Sequence, residues 1–165
     1  MKRLYLVRHA KSSWSNPELR DFDRPLNKRG NRDAPFMGSL IKEKGIRPDL
    51  LISSPSKRAL ATAEYFADEL DYRKNDIVKE DDLYEAGVRD ILRIVSLQEE
   101  KFDSIMLFGH NPGITDFCNM ISDKQIDNIP TSAVVSLILN PGQWNKINEG
   151  TCKLEFFEYP KKYFN

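Results

Sequence analysis

The chain has 165 residues, with 25 basic and 25 acidic side chains, so its formal net charge at neutral pH is zero. A neutral chain lacks the general attraction to nucleic acids and acidic membrane surfaces that a strongly basic protein has. No apolar run approaches the roughly 20 residues needed to cross a bilayer, and the run that follows Lys2 and Arg3 is too short for a signal peptide. We therefore expect a single domain over residues 1–165, with a sizeable core and without nucleic-acid or membrane partners.

The two cysteines, Cys118 and Cys152, are far apart in the sequence, and neither has a second Cys or a His at the spacing of metal ligands. We therefore expect no metal site and no cofactor, and we interpret both thiols as packing groups. The low cysteine content and the missing secretion signal favour a cytoplasmic protein with reduced thiols.

Short β-rich apolar runs alternate with helical patterns along the chain. In chain order, the strand-like runs are RLYLV, DLLIS, SIMLFG, AVVSLIL and KLEFFEY, and IVKEDDLY predicts a short edge strand and loop. Helical periodicity predicts helices over residues 28–45, 56–70, 88–98 and 113–121. The two runs around NPGQW near the end favour an antiparallel pair added to the sheet. Because strands alternating with helices are typical of βαβ units, we expect a three-layer α/β/α domain with a mixed, mainly parallel sheet.

Three apolar runs end in polar residues where a parallel sheet would bring those residues together. Arg8-His9 follows the first run, the segment SSP at 53–55 ends the second, and His110 follows SIMLFG. In open α/β sheets, ligands bind beyond the carboxyl ends of the strands. The chain has only two histidines, and both occupy this position. We therefore expect the three segments to line one crevice.

The side chains of this crevice suit phosphate chemistry. We expect the helix of this segment to begin near Ser54 and Pro55, because proline is favoured in a first turn, so that Arg58 would lie near the start of that helix and face the same crevice as Arg8. Guanidinium groups bind phosphate oxygens in pairs, while one neutral imidazole can attack phosphorus and a second can stabilise transferred charge. Taken singly, each residue has a plainer interpretation: a structural histidine at a strand end, or a solvated or ion-paired arginine.

The segment LVRHAKSSW resembles the signature of the histidine phosphatase superfamily, in which Arg-His-Gly follows the first strand and a Ser or Thr and a Trp lie shortly downstream. Ser12 and Trp14 stand at those places. The similarity continues in DFDRPLNKRGNRDA, SSPSKRALATA, FGHNPGI and PTSA, over most of the chain and in the family's order. Together these segments resemble the short branch typified by the phosphohistidine phosphatase SixA. The resemblance implies a phosphoglycerate mutase-like fold.

The resemblance also implies a role for each residue that matches the main motifs. His9 would be the nucleophile that becomes phosphorylated. Arg8 and Arg58 would bind the phosphoryl group of the substrate. His110 would complete the pocket and stabilise the transferred charge.

Three positions beside these motifs are less settled. Ser12 would add a hydrogen bond to the phosphoryl group. Arg24 of DRPL would line the rim of the pocket, although a surface ion pair with Asp21 or Asp23 is an equal alternative. Ala10 replaces the family's usual glycine, and its methyl group is tolerated where φ is negative but would crowd the approach of phosphate if it faced the pocket.

The general acid is the least clearly marked part of the site. Many family members carry a carboxylate that protonates the leaving group, and Glu85 in LYEAG is the best match for it. Glu80, Asp81 and Asp82 are nearby alternatives. The acidic run EDDLYE is equally consistent with a solvated loop, so both interpretations stay open.

The short connections between the elements leave little material for a lid over the pocket. Relatives that act on sugar phosphates or phytate generally carry insertions that roof the site, so an open site favours a phosphorylated side chain on a protein surface. The arginines supply the positive charge, and no metal is needed. We therefore expect a metal-independent phosphatase whose partner is a phosphohistidine-bearing protein. The alternatives are a small-molecule phosphomonoesterase and a non-catalytic phosphate-binding module; a mutase is less favoured, and the oligomeric state stays open.

Overall fold

The computed structural model describes residues 1–164. Within them, the strands form one mixed sheet with the order β3-β2-β4-β1-β5-β6. The strands β3, β2, β4 and β1 are parallel to one another, while β5 and β6 are antiparallel additions next to β1. The strands are β1 (Lys2–Arg8), β2 (Leu50–Ser53), β3 (Val78–Lys79), β4 (Ser104–Gly109), β5 (Val134–Leu139) and β6 (Cys152–Glu158). The α-helices are α1 (Lys28–Glu43), α2 (Lys57–Glu69), α3 (Val88–Ser96) and α4 (Gly113–Ile121).

Helices cover both faces of the sheet, and alternate residues of β1 face opposite layers, as a pleated strand requires. Tyr5 and Val7 pack in a core with residues of α1 and α2, whereas Leu4 and Leu6 pack in a second core with residues of α3 and α4. The predicted three-layer α/β/α fold is therefore confirmed. No helix within residues 1–164 combines the length and the apolar character that a membrane crossing demands.

The observed elements follow the predicted ones closely, with one difference at the start of α2. The predicted helix began near Ser54 and Pro55, but α2 begins at Lys57. Ser56 is its N-cap, and the Ser56 hydroxyl accepts a hydrogen bond from the Ala59 backbone N–H. A serine caps the free amides of a first turn, which proline does not, so Pro55 lies before the helix rather than in its first turn.

The parallel register brings the carboxyl ends of β1, β2 and β4 to one edge of the sheet. Arg8 pairs with Gly109 of β4, and Ser53 of β2 pairs with Phe108 of β4. The ladder continues one step further, because the His9 N–H donates to the Gly109 carbonyl over 3.0 Å. The three polar segments expected to share a crevice therefore leave the sheet side by side.

Both cysteines are buried, and neither forms a disulfide within the described residues. Burial raises the pKa of the Cys118 thiol to about 12 and that of the Cys152 thiol to about 11. Both groups are therefore protonated at neutral pH, as expected for thiols that fill space in a core.

Candidate active site

His9 lies at the end of β1 with only 8% of its surface exposed. Its Nδ1 lies 2.7 Å from the backbone carbonyl oxygen of Ala10. A carbonyl only accepts, so Nδ1 carries the hydrogen and Nε2 is the unprotonated nitrogen. This Nε2 accepts a long hydrogen bond of 3.4 Å from Nε of Arg58. The ring is thus held in the tautomer that a nucleophilic Nε2 requires.

Ala10, which stands where the family usually has glycine, fits this arrangement. It is fully buried and is not among the residues with positive φ. Its backbone N–H donates to the Thr62 hydroxyl over 2.9 Å, and its carbonyl holds His9. Since φ is not positive, the methyl group adds no backbone strain.

His110 follows β4 and lies beside His9, with 5.0 Å between the centroids of the two rings. Its Nε2 lies 2.8 Å from the Ser54 hydroxyl and 3.3 Å from the Ser56 hydroxyl. The Ser54 hydroxyl accepts from the Ser56 N–H over 3.3 Å, and when its own hydrogen is donated to Nε2, the hydrogen of His110 is on Nδ1. This Nδ1 is buried and has no partner among residues 1–164, so in this tautomer it is a donor beside His9.

Both imidazoles are neutral at physiological pH. Burial lowers the pKa of His9 to about 3, and the charges of Arg58 and Arg8 act in the same direction. Burial lowers the pKa of His110 to about 4, again with help from Arg58. The lone pair of His9 is therefore available for attack without prior loss of a proton.

Two arginines lie beside the imidazoles. Arg58, in the first turn of α2, is 7% exposed and donates through its terminal nitrogens to the Asp21 carbonyl and carboxylate, over 2.6 and 2.9 Å. Arg8, the last residue of β1, donates to the Ile129 carbonyl over 3.0 Å, while its buried Nε has no partner among residues 1–164.

Arg24 forms the ion pair that was one of its two interpretations, and its role at the rim of the pocket stays a prediction. Its side chain is buried, donates to the Ser12 hydroxyl and forms an ion pair with Asp21 at 3.0 Å. Its guanidinium carbon also lies 3.2 Å from the centre of the exposed Trp14 ring. Arg24 therefore contacts both Ser12 and Trp14, and its acidic partner is Asp21 rather than Asp23.

Glu85 lies on the exposed loop between β3 and α3, with a φ of 59°. It forms no hydrogen bond or ion pair with the residues that the structure describes. Its neighbour Tyr84 instead packs edge-on against His110, with 5.6 Å between ring centroids. The role of Glu85 as a general acid therefore stays a prediction.

Asp21 and Tyr84 are the functional candidates that sequence reasoning missed in this role. The Asp21 carboxylate accepts hydrogen bonds from the Tyr84 hydroxyl over 2.6 Å, from Arg58 and from Arg24. The hydrogen bond from Tyr84 and those from the two arginines hold the pKa of the Asp21 carboxyl well below its usual range. The spacing of Asp21 and Arg24 in DFDRPL predicted only the local ion pair between them. Tyr84 lies 63 residues further along the chain, so its hydrogen bond to Asp21 could not be predicted.

The buried polar atoms without partners are concentrated at this site. In residues 1–164 they are Arg8 Nε, His110 Nδ1 and Ser132 Oγ. Ser132 is fully buried, has a φ of 64°, and donates its backbone N–H to the carbonyl of Arg8 over 3.0 Å. Unpaired buried polar groups are rare in native proteins, and they indicate a place where another group belongs. The same residues contain no cluster of three or more His, Cys, Asp or Glu side chains placed to hold a metal ion.

Residues 4–112 match the family model of the histidine phosphatase superfamily, branch 1. The chain belongs to this superfamily. An uncharacterized chloroplastic protein of Arabidopsis thaliana is 31% identical to it over 133 residues, which cover 76% of this chain and 61% of that protein. The chain thus spans about three fifths of the length of this relative.

Solved structures of SixA proteins share the fold over nearly its whole length. A structure assigned as the phosphohistidine phosphatase SixA of Agrobacterium tumefaciens is 31% identical, with a TM-score of 0.82 over 96% of this chain and 98% of that one. The structure of a SixA protein histidine phosphatase complexed with tungstate also has a TM-score of 0.82, at 19% identity and over 97% and 98% of the two chains. The predicted superfamily and its SixA-like branch are confirmed.

Proposed function

We propose that this protein is a phosphatase that transfers a phosphoryl group from its substrate to His9 and then to water. The observation that carries the proposal is the pairing of two neutral imidazoles, buried His9 and half-buried His110, 5.0 Å apart, with donors on Arg8 and His110 that have no partner among residues 1–164. This arrangement supplies a nucleophile and an anion-binding pocket at the same edge of the sheet.

Phosphate binding supplies the acceptors that these donors lack. A buried donor without a partner costs about 1–3 kcal/mol, because it has lost its hydrogen bonds to water. Phosphoryl oxygens accept hydrogen bonds from Arg8 Nε and from Nδ1–H of His110, and Arg58 adds charge beside them. A phosphoryl group in this pocket therefore satisfies both donors.

The chemical step uses the tautomer of His9. The Nε2 lone pair attacks phosphorus, the bond from phosphorus to the leaving group breaks, and the leaving group departs with its electron pair. The ring gains positive charge, which the Ala10 carbonyl stabilises through Nδ1–H. Water then attacks the same phosphorus, the P–N bond breaks, and inorganic phosphate leaves with His9 neutral again.

The favoured substrate is phosphohistidine on a protein partner. An imidazole leaving group can already carry its proton, so this reaction needs little help from a general acid, in keeping with the lack of hydrogen bonds to Glu85. The likeness to the Agrobacterium SixA structure supports the same substrate class. The proposal includes independence from metal ions, because arginines supply the charge, and a cytoplasmic location, which the two buried thiols support.

A substrate panel with a trapping step tests the proposal. We expect kcat/KM for a phosphohistidine protein to exceed that for aryl and sugar phosphates, and to be unchanged by a chelator. Mixing with labelled substrate and quenching in alkali should leave phosphate on His9, since the P–N bond is more stable in alkali than in acid. His9→Ala should lose both the label and nearly all turnover. Preference for a small phosphomonoester would favour that substrate class, and tight phosphate binding without any turnover would indicate a binding module.

A further inference from the structure

We propose that Asp21 is a positioning residue that orients Arg58 towards His9. We also propose that the negative charge of Asp21, close to the phosphate pocket, weakens the affinity for phosphate. The inference rests on the proposed phosphatase function and concerns a residue outside the superfamily motif around His9. It explains why the carboxylate of Asp21, on an exposed loop, accepts hydrogen bonds from Tyr84, Arg58 and Arg24.

The contacts with Arg58 determine which edge of its guanidinium faces His9. One terminal nitrogen donates to the Asp21 carbonyl over 2.6 Å, and the other donates to the Asp21 carboxylate over 2.9 Å. With both terminal nitrogens engaged, the Nε edge of Arg58 is the one that faces His9 Nε2, at 3.4 Å. Without Asp21, a long arginine side chain has several rotamers and loses this orientation.

Asp21 also connects Tyr84 to the same arginine. Its carboxylate accepts from the Tyr84 hydroxyl over 2.6 Å. The Tyr84 ring packs edge-on against both His110 and Phe22, with centroid distances of 5.6 and 5.1 Å. One carboxylate therefore joins the loop after β1, the start of α2 and the loop before α3.

The charge of Asp21 has a second consequence. Arg8, Arg24 and Arg58 contribute three positive charges at the site, and Asp21 contributes the negative charge that contacts two of them. A bound phosphate dianion shares Arg58 with this carboxylate, and the two anions repel each other. Neutralising Asp21 should therefore tighten phosphate binding by about fivefold, which is a modest effect for unit charges near a protein surface.

The test compares Asp21→Asn, Asp21→Ala and the matched control Asp23→Asn. Asparagine keeps a carbonyl oxygen for Arg58 but removes the charge, whereas alanine removes both. Asp23 belongs to the same turn and pairs with the exposed Arg20 at 2.9 Å, so its neutral variant should behave as the wild type. The measurements are kcat and KM with phosphoramidate, the dissociation constant of inorganic phosphate by calorimetry, and the melting temperature.

We expect Asp21→Asn to bind phosphate about fivefold more tightly while its kcat falls by about threefold to tenfold, owing to slower product release and weaker alignment. Asp21→Ala should lose about 100-fold in kcat. If Asp21→Asn bound phosphate more weakly than the wild type, or if both variants lost kcat and affinity in parallel with melting temperature, the positioning role would be wrong. Calorimetry measures phosphate binding without turnover. A wild-type protein that binds phosphate but hydrolyses no substrate would therefore refute the proposed function, independently of the role of Asp21.

Discussion

Acidification from pH 7 to pH 5 should destabilise the protein, chiefly through its two histidines. His9 and His110 are neutral in the folded state, because burial lowers their pKa values from 6.5 to about 3 and about 4. In the unfolded chain both take up a proton near pH 6.5. Between these values the unfolded state binds more protons, so the free energy of unfolding falls as the pH falls.

The size of the effect follows from the two pKa values. One unit of difference in pKa corresponds to about 1.4 kcal/mol, so at pH 5 each histidine lowers the free energy of unfolding by about 2 kcal/mol. The two together remove about 4 kcal/mol, a large part of the 5–15 kcal/mol typical of a domain. This destabilisation is absent well above pH 6.5 and grows progressively as the pH falls from 6.5 towards the folded-state pKa values. The chain has no other histidine, and its carboxyl groups titrate mainly at lower pH.

Urea unfolding followed by the fluorescence of the fully buried Trp144 measures the effect at several pH values from 7 to 5. His9→Gln and His110→Gln should each remove about half of the pH dependence, whatever they do to the stability at pH 7. A wild-type stability that stayed constant from pH 7 to pH 5 would refute the neutral burial of the imidazoles. If the free energy of unfolding of either variant depended on pH as strongly as that of the wild type, the replaced histidine would not contribute the expected half of the effect.

Three further substitutions test individual side chains. His110→Ala should lower kcat about 100- to 1,000-fold because it removes a donor to the transferred charge, yet it should still allow some phosphate to be trapped on His9; wild-type turnover would contradict this. Glu85→Gln should lower kcat for alkyl phosphates by about 100-fold and that for phosphohistidine by less than about threefold, and equal losses would argue against a general acid. Ser132→Gly should raise the free energy of unfolding in urea by about 1 kcal/mol, because glycine accepts a positive φ and carries no unpaired hydroxyl. The exposed Asp71→Gly, at a φ of 57°, is a control for backbone strain once the loss of its surface ion pair with Lys42 is measured separately with Lys42→Ala, and a loss of stability in Ser132→Gly would contradict the account.

The architecture and the main site residues could be predicted because both depend on local patterns. Strand runs and helical periodicity reveal the layers, and parallel strands must place their carboxyl ends at one edge. Arg8 and Gly109 are partners in that register, so the histidines that follow them had to be neighbours. The start of α2 was misplaced because Pro55 and Ser56 are both favourable near a helix start, and capping by the serine decided between them.

The contacts around Asp21 could not be predicted, because they depend on the directions of side chains from distant loops. A local pair of Asp21 and Arg24 is visible as a spacing of three residues. Nothing in the spacing of Tyr84 or Arg58 indicates that both would reach the same carboxylate. The sequence marks the candidate reacting groups, whereas the contacts that hold Arg58 are visible only in the packing of loops.

The features that make this site costly to fold are also the ones that suit it to phosphoryl transfer. Keeping His9 neutral requires burial beside positive charge, and this same burial reduces stability in acid. Arg8 Nε and His110 Nδ1 have no partner among residues 1–164, and both face the place where a phosphoryl group would bind. Donors that are already in place need no reorganisation when charge develops on phosphorus, which lowers the barrier of the reaction. Preorganisation for an anion and lower stability in acid therefore follow from the same arrangement of buried groups.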